Sequence, residues 1–270
     1  MKSISIAFIG GGNMAQALIG GLCRSGRSPE SIIVADPGDA VRQTLVDQFA
    51  TRVTADNREA AQGADVIVLA VKPQIMEEVL GELTAVLVPN ALVISVAAGV
   101  TLAMLQHQLG GQARLVRAMP NTPALFGAGM TGLVASPLVD ERDRQRAGEI
   151  LGSAGETVWL EDEALMDVVT AVSGSGPAYF FALAEQLALA GERAGLPPSI
   201  AAQLARQTAY GAGIMLARSG RSAGELRSQV TSPGGTTEAA LDSLTRGEFE
   251  RLIDEAVQAA ARRGRELGGN

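Results

Sequence analysis

Cysteine, histidine and lysine are scarce in this chain of 270 residues: one cysteine (Cys23), one histidine (His107) and two lysines, Lys2 and Lys72, the other cations being arginines. A single cysteine excludes a disulfide framework and fits a reducing, cytoplasmic setting. One cysteine and one histidine cannot supply the usual set of structural zinc ligands, so no metal site is expected. The formal net charge of -7 and a pI of about 4.9 leave no basic footprint for nucleic acid, whose phosphates require one. A small anionic ligand must therefore be caught locally. Also missing is an uninterrupted apolar run long enough to span a bilayer. The run ISIAFIG near the start is shorter than a signal-peptide core and reads as a first strand. The expectation is a soluble protein with neither membrane nor nucleic-acid partners.

What is present first is alternation. Residues 4–9 form a β-branched apolar run ending in glycine, and Met14, Ala17, Leu18 and Leu22 then recur at helical spacing. The same succession returns with strands predicted at 31–37, 64–71 and 91–99 and helices at AVRQTLVDQF and QIMEEVLGEL between them. Continuous apolar strands alternating with helices belong in a parallel sheet covered on both faces. Further strands are predicted at 113–120, at 130–136 and around Val158 and Trp159, after which strand signals stop. From about residue 162 the pattern is helical, including one long segment from Thr245 through Leu267. The division expected is an N-terminal Rossmann-type doubly wound domain, 1–161, and an all-α domain, 162–270. The helix from Pro177 to Ala194 is apolar around much of its circumference. It lies either in the middle of its own domain or at a subunit interface.

FIGGGNMAQA carries G-x-G-x-x-A at Gly10, Gly12 and Ala15. Gly10 permits the tight turn, Gly12 lets backbone approach a pyrophosphate, and Ala15 lets the helix lie close on the strand. The motif follows a strand and opens a helix, and a second strand ends at Asp36, where an acidic side chain can hold the adenosine ribose. Asp36 favours NADH, whereas Arg42 or Arg58 could compensate for a 2′-phosphate, so NADPH and NADH both stay open. AVKPQ (70–74), SVAAGV (95–100) and MPNTPALFGAG (119–129) fall at or near predicted strand ends, where ligands of a doubly wound sheet collect.

Reducing a ketone generates an alkoxide and calls for a positioned acid such as His, Lys or Tyr. His107 falls within a helix, Tyr179 among aromatic and Ala neighbours, and Cys23 reads as a small buried hydrophobe. An imine nitrogen can enter already protonated and needs only a hydrogen-bond partner, so the scarcity of acids favours C=N reduction. The segment QVTSPGGTTEAAL (229–241) suits such a substrate. Amides at a helix start, flanked by hydroxyls, bind a carboxylate without net positive charge. Ser232 and the amides of Gly234, Gly235 and Thr236 are expected to hold the carboxylate, and Thr237 to contact the ring nitrogen. The same segment reads equally as a capped helix after a turn.

FIGGGNMAQA, AVKPQ, ISVAAGV, RAMPNTP, SGSGPAY (173–179) and VTSPGGTTEAAL, in this order, resemble the pyrroline-5-carboxylate reductase family over nearly the whole chain. The resemblance implies NAD(P)H-dependent reduction of L-1-pyrroline-5-carboxylate to L-proline, the last step of proline biosynthesis. It also implies a helical dimerisation domain interlocked with its twin, an active site shared across the pair, and dimers that assemble into decamers. Carried over by position, cofactor contacts fall on Gly10, Gly11, Gly12, Asn13 and Met14, on Asp36 and Pro37, and on Asn57, Val71, Lys72, Pro73 and Ala98. Substrate contacts fall on Glu163, Ser232, Thr236 and Thr237, with Gln229 where the family pattern has Asn, and Thr237 becomes the catalytic candidate. Asp36 departs from NADPH-preferring relatives, which carry a small hydroxyl residue near there. A β-hydroxyacid dehydrogenase, similar in layout, would need a lysine in the long interdomain helix, and none occurs from Val172 to Gly195. A dinucleotide-binding sensor without catalysis is the remaining rival.

Overall fold

The computed structural model of the chain describes residues 4–88, 90–111 and 113–268; Lys2 lies outside them. In chain order the first part comprises β1 (Ile6–Ile9), α1 (Asn13–Arg24), β2 (Ile32–Ala35), α2 (Asp39–Phe49), β3 (Arg52–Thr54), α3 (Asn57–Ala61) and β4 (Val66–Leu69). There follow α4 (Met76–Leu83), β5 (Leu92–Ser95), α5 (Leu102–Gln108), β6 (Arg114–Met119), β7 (Gly129–Ala135), α6 (Glu141–Gly152), β8 (Gly155–Trp159) and α7 (Met166–Val169). The eight strands form one sheet in the order β3-β2-β1-β4-β5-β6-β7-β8. Strands β1 to β6 are mutually parallel, whereas β7 pairs antiparallel with β6 and parallel with β8. The reversal has a simple cause: the short Thr122–Phe126 turn between β6 and β7 leaves no room for a crossover helix.

Alternation along the strands builds a core on each face. Ile6, Phe8, Val66, Val68, Leu92 and Ile94 point to one side with Leu18, Ile19, Leu22, Ile150 and Leu151 of α1 and α6. Ala7, Ile9, Ile67, Leu69 and Val93 point to the other, against Met76, Leu80, Leu83 and Leu105 of α4 and α5. Each Val, Leu, Ile, Phe or Met side chain among them, taken fully out of water, contributes about 1.5–3 kcal/mol. Because every central strand is covered on both faces, no alternation of polar and apolar residues survives in them.

The chain runs from β1 outward through β2 to β3, then returns to β4 on the other side of β1. Register keeps the ends level: Ile9 faces both Ala35 and Leu69, Leu69 faces Ser95, and Ser95 faces Arg117. The carboxyl ends of β1, β2, β4, β5 and β6 thus form one edge, with the topological switch point between β1 and β4. Two short elements, β3 and α3, are absent from the sequence expectation. At three and five residues they are too short for apolar periodicity to register.

A second compact unit spans 175–259, while the first takes in the described residues up to Gly174 and again from Ala260. The strand signals end near residue 161, but the chain stays on the first unit longer. Met166 and Ala171 are buried there, Val169 packs on Gly132, and the Asn121 amide donates to the Ser173 carbonyl at 2.9 Å. The second unit contains α8 (Gly176–Arg193), α9 (Pro198–Arg218), α10 (Ala223–Gln229), α11 (Thr236–Arg246) and the start of α12 (Phe249–Leu267). A short turn at Gly195, φ +106°, joins α8 and α9 into a helical hairpin. The long helix expected from Thr245 is instead broken. Gly247 caps α11 and Glu248 adopts φ +57°, so α12 starts afresh at Phe249.

Candidate active site

The glycine turn fills the switch point. Gly10 has φ +96°, and a Cβ there would lie 2.7 Å from the Ala70 carbonyl oxygen. Gly11 is buried, and a Cβ on it would meet Leu45 and Val41 within 2.9 Å. Gly12 differs, since nothing lies within 4 Å of its Cβ direction. The first two glycines serve the fold, and the third leaves open space at the start of α1. Gly12 is the N-cap of α1 with no side-chain cap, and no acidic residue occupies the first turn. By contrast Asp56, Thr101 and Asp140 cap α3, α5 and α6 with their own oxygens. The first-turn amides of α1, on Asn13 and Met14, are therefore left for an external anion.

On the β2 side, Asp36 Oδ2 accepts the Gly11 N–H at 2.9 Å and Oδ1 accepts the Gly38 N–H at 2.9 Å. Arg42 donates to the Asp36 carbonyl and pairs with Asp39. Pro37 is exposed on the same edge. On the β4 and β5 side lie half-buried Val71, exposed Lys72 and Pro73, and exposed Ala98. Asn57 opens α3 and donates through Nδ2 to Glu82 Oε2 at 2.8 Å, which fixes its side chain. The first unit thus collects Gly10–Met14, Asp36, Pro37, Val71–Pro73 and Ala98 along one sheet edge.

Glu163 also belongs to the first unit. Its Oε1 accepts the Leu102 N–H at 2.8 Å and the Arg117 guanidinium at 2.8 Å. Asn121 Oδ1 accepts the Met130 N–H at 2.9 Å while its amide group holds Ser173. Neither Arg117 nor Asn121 emerges from the sequence as a functional residue. For Arg117 a signal existed: a cation inside the otherwise apolar LVRAM stretch has to find buried partners.

In the second unit Gln229 ends α10, Ser232, Gly234 and Gly235 lie on the turn that follows, and Thr236 and Thr237 open α11. Gly234, at φ +71°, makes the bend. The Gly234 N–H donates to Glu238 Oε2 at 2.7 Å, and the Gly235 N–H to the Ser232 carbonyl at 3.0 Å. Both glycine amides are therefore engaged internally, and the expectation that they grip a ligand is revised. Thr236 and Thr237 follow an N-cap, Gly235, that has no side-chain cap, so their amides lack helical partners. Thr237 is half-buried, while Gln229, Ser232 and Thr236 are exposed.

The remaining reactive groups lie elsewhere. His107 is exposed in the last turn of α5, and Tyr179 is half-buried on α8. Cys23 packs against the core, and burial pushes its thiol above the usual range. Among the described residues there is no cluster able to hold a metal ion and no helix long and apolar enough to cross a membrane.

A glycine turn at the switch point, an uncapped helix start beside it and an acidic residue closing β2 define a Rossmann-type nucleotide-binding oxidoreductase fold joined to a helical unit. Comparison with known proteins is more specific. Residues 5–99 match the family described as "NADP oxidoreductase coenzyme F420-dependent", and residues 163–267 match "Pyrroline-5-carboxylate reductase dimerisation". The pyrroline-5-carboxylate reductase of Pseudomonas aeruginosa is 47% identical over 99% of this chain and 98% of its own. The solved pyrroline-5-carboxylate reductase of Coxiella burnetii superposes with a TM-score of 0.94 at 41% identity, covering 98% and 99% of the two chains. The pyrroline carboxylate reductase of Plasmodium falciparum, solved with NADP bound, gives a TM-score of 0.85 at 30% identity, covering 99% of each. The chain belongs to the pyrroline-5-carboxylate reductase family.

Proposed function

We propose that this protein reduces L-1-pyrroline-5-carboxylate to L-proline with NADPH or NADH, as a cytoplasmic homodimer whose dimers assemble into decamers. The observation that carries the reading is that each unit, described by itself, has a helix start without a side-chain cap, at Gly12 and at Gly235, in a chain of this family. The first suits a pyrophosphate and the second a small carboxylate, each by neutral amide dipoles. Open space at Gly12 and the free first turn of α1 fit a dinucleotide. In this reading Gly10 to Met14 hold the pyrophosphate, Asp36 and Pro37 the adenosine ribose, and Asn57 the adenosine side. Val71, Lys72, Pro73 and Ala98 border the nicotinamide half.

When bound, the reduced cofactor supplies a hydride to the imine carbon. The chain's own residues orient and hold. Ser232 and the Thr236 and Thr237 amides grip the carboxylate, with Gln229 bordering it. The Thr237 hydroxyl hydrogen-bonds the ring nitrogen. That nitrogen enters protonated, receives the C=N π pair as the carbon–hydrogen bond forms, and leaves as a secondary amine that takes its second proton from solvent through Thr237. Positioning and fixed dipoles carry the catalysis, and no covalent intermediate forms. Steady-state oxidation of NADPH and NADH with pyrroline-5-carboxylate tests the reading. Proline formation supports it; cofactor binding without turnover would leave a sensor and overturn it.

A further inference from the structure

Arg117 is a cation in the interior of a sheet. Its side chain is 7% exposed, it stands in register with Ser95 of β5, and it projects to the face that α5 covers. One guanidinium nitrogen, Nη1, donates to Glu163 Oε1 at 2.8 Å, and Nη2 lies 3.9 Å from Asp167 Oδ1. Burying such a charge is costly, and an apolar side chain of similar volume is commonly as stable or more so. Fold stability alone therefore gives weak reason for an arginine here.

The geometry supplies a stronger one. The Glu163 oxygen that Arg117 fixes is the same oxygen that accepts the Leu102 N–H at 2.8 Å. Leu102 opens α5 and ends the turn 96–101 that follows β5. The beginning of that turn is tied to the sheet by the Val96 N–H on the Leu69 carbonyl at 3.1 Å. Its middle carries exposed Ala98 and then Gly99 at φ +77°, whose missing Cβ would sit 3.2 Å from the Leu267 carbonyl oxygen. Asp167, the second acid facing Arg117, packs in turn against Gly264 of α12. With Asp36 marking the adenosine side of the switch point at β2, the other half of a dinucleotide extends across β4 towards β5 and this turn.

We propose that Arg117 is a positioning residue: through Glu163 it sets the Val96–Thr101 turn against which the nicotinamide half of the cofactor lies. The proposal rests on the dinucleotide-dependent reading above. It separates Arg117 from a general structural role, because the adenosine half is held by the Gly11–Asp36 side, which Arg117 does not touch.

The test compares affinity for the reduced cofactor that wild type uses best with affinity for the same molecule lacking nicotinamide: ADP-ribose for NADH, its 2′-phosphate for NADPH. Arg117→Met should weaken the intact cofactor by about tenfold or more and lower kcat, while the fragment stays within about twofold of wild type. Glu163→Ala should reproduce the loss of intact-cofactor affinity. The double variant should add little to either single change, because the two residues act through one contact. Arg117→Lys keeps the charge but not the fork and should fall between wild type and Arg117→Met. If Arg117→Met does not yield folded protein, the same comparison is read from Arg117→Lys and Glu163→Ala. Equal weakening of intact cofactor and fragment, unchanged affinity for both, or fully additive losses would each overturn the assignment. The binding comparison needs no turnover, so a wild type that left pyrroline-5-carboxylate unreduced would sink the proposed reaction and still leave the Arg117 result readable.

Discussion

The Asp36 carboxylate receives the Gly11 N–H at 2.9 Å, which locks the end of β2 to the glycine turn. Its other oxygen receives the Gly38 N–H, so the carboxylate is held in one orientation at the adenosine edge. A carboxylate offers about four lone-pair sites, and two remain for a ribose hydroxyl.

A fixed negative charge at that edge repels a 2′-phosphate more than it does a hydroxyl, and Arg42 is already paired with Asp39. Asp36→Ser should raise the ratio of kcat/KM for NADPH over NADH by about tenfold or more, with the larger effect at low salt. Parallel kinetics with both cofactors check this. If both activities fell by the same factor, Asp36 would be a clamp for the turn and nothing else.

The glycines of the turn should separate fold from ligand. Gly10→Ala forces a Cβ against the Ala70 carbonyl at a positive φ and should lower stability by about 2–4 kcal/mol, read by denaturant titration. Gly12→Ala meets no protein atom, so its unfolding midpoint should stay near wild type while cofactor affinity falls about tenfold or more. Loss of stability at Gly12 without loss of affinity would contradict the division of roles.

Much of this arrangement is legible in the sequence because local rules and the fold agree. The Gly10–Ala15 motif, the strand ending at Asp36 and the apolar strands each follow from spacing or composition. What is not legible depends on partners distant in the chain. Arg117 acquires meaning only beside Glu163 and Leu102, and Asn121 only beside Ser173 and Met130. The Gly234 amide looks available from sequence, yet a glutamate one turn later takes it. The break at Gly247-Glu248 escapes because Arg, Gly and Glu sit within a continuing apolar period.

Thr237 provides the sharpest chemical test. Its position after an uncapped Gly235 puts both its amide and its hydroxyl at the start of α11. Removing one aligned hydrogen-bonding group from a reacting centre lowers turnover by on the order of 10²-fold. Thr237→Ala should therefore reduce kcat strongly while cofactor affinity, measured by fluorescence titration, is unchanged. Thr237→Ser, which keeps the hydroxyl, should recover most of the loss. Full activity in the alanine variant would remove Thr237 from the mechanism.

The second unit buries little apolar surface of its own: Ala201, Ala205 and Leu226 are covered, whereas Phe180 and Phe181 are 63% and 67% exposed in the single chain. Leu183, Leu187, Leu204 and Tyr210 are at least half exposed as well. An apolar surface of this kind marks an interaction face, and residues 163–267 match the family described as "Pyrroline-5-carboxylate reductase dimerisation". If a second copy covers this face, it supplies the core that the α8–α9 hairpin lacks, and association and stability should then be linked. The midpoint of thermal unfolding should rise with protein concentration in the wild type. Phe181→Asp, which places a charge on this face, should shift the species seen by sedimentation velocity towards monomer, lower the melting temperature and abolish its concentration dependence. Reductase activity should fall with the dimer fraction rather than independently of it. A Phe181→Asp protein that stayed dimeric, with an unchanged concentration-dependent midpoint, would place the interface on another face.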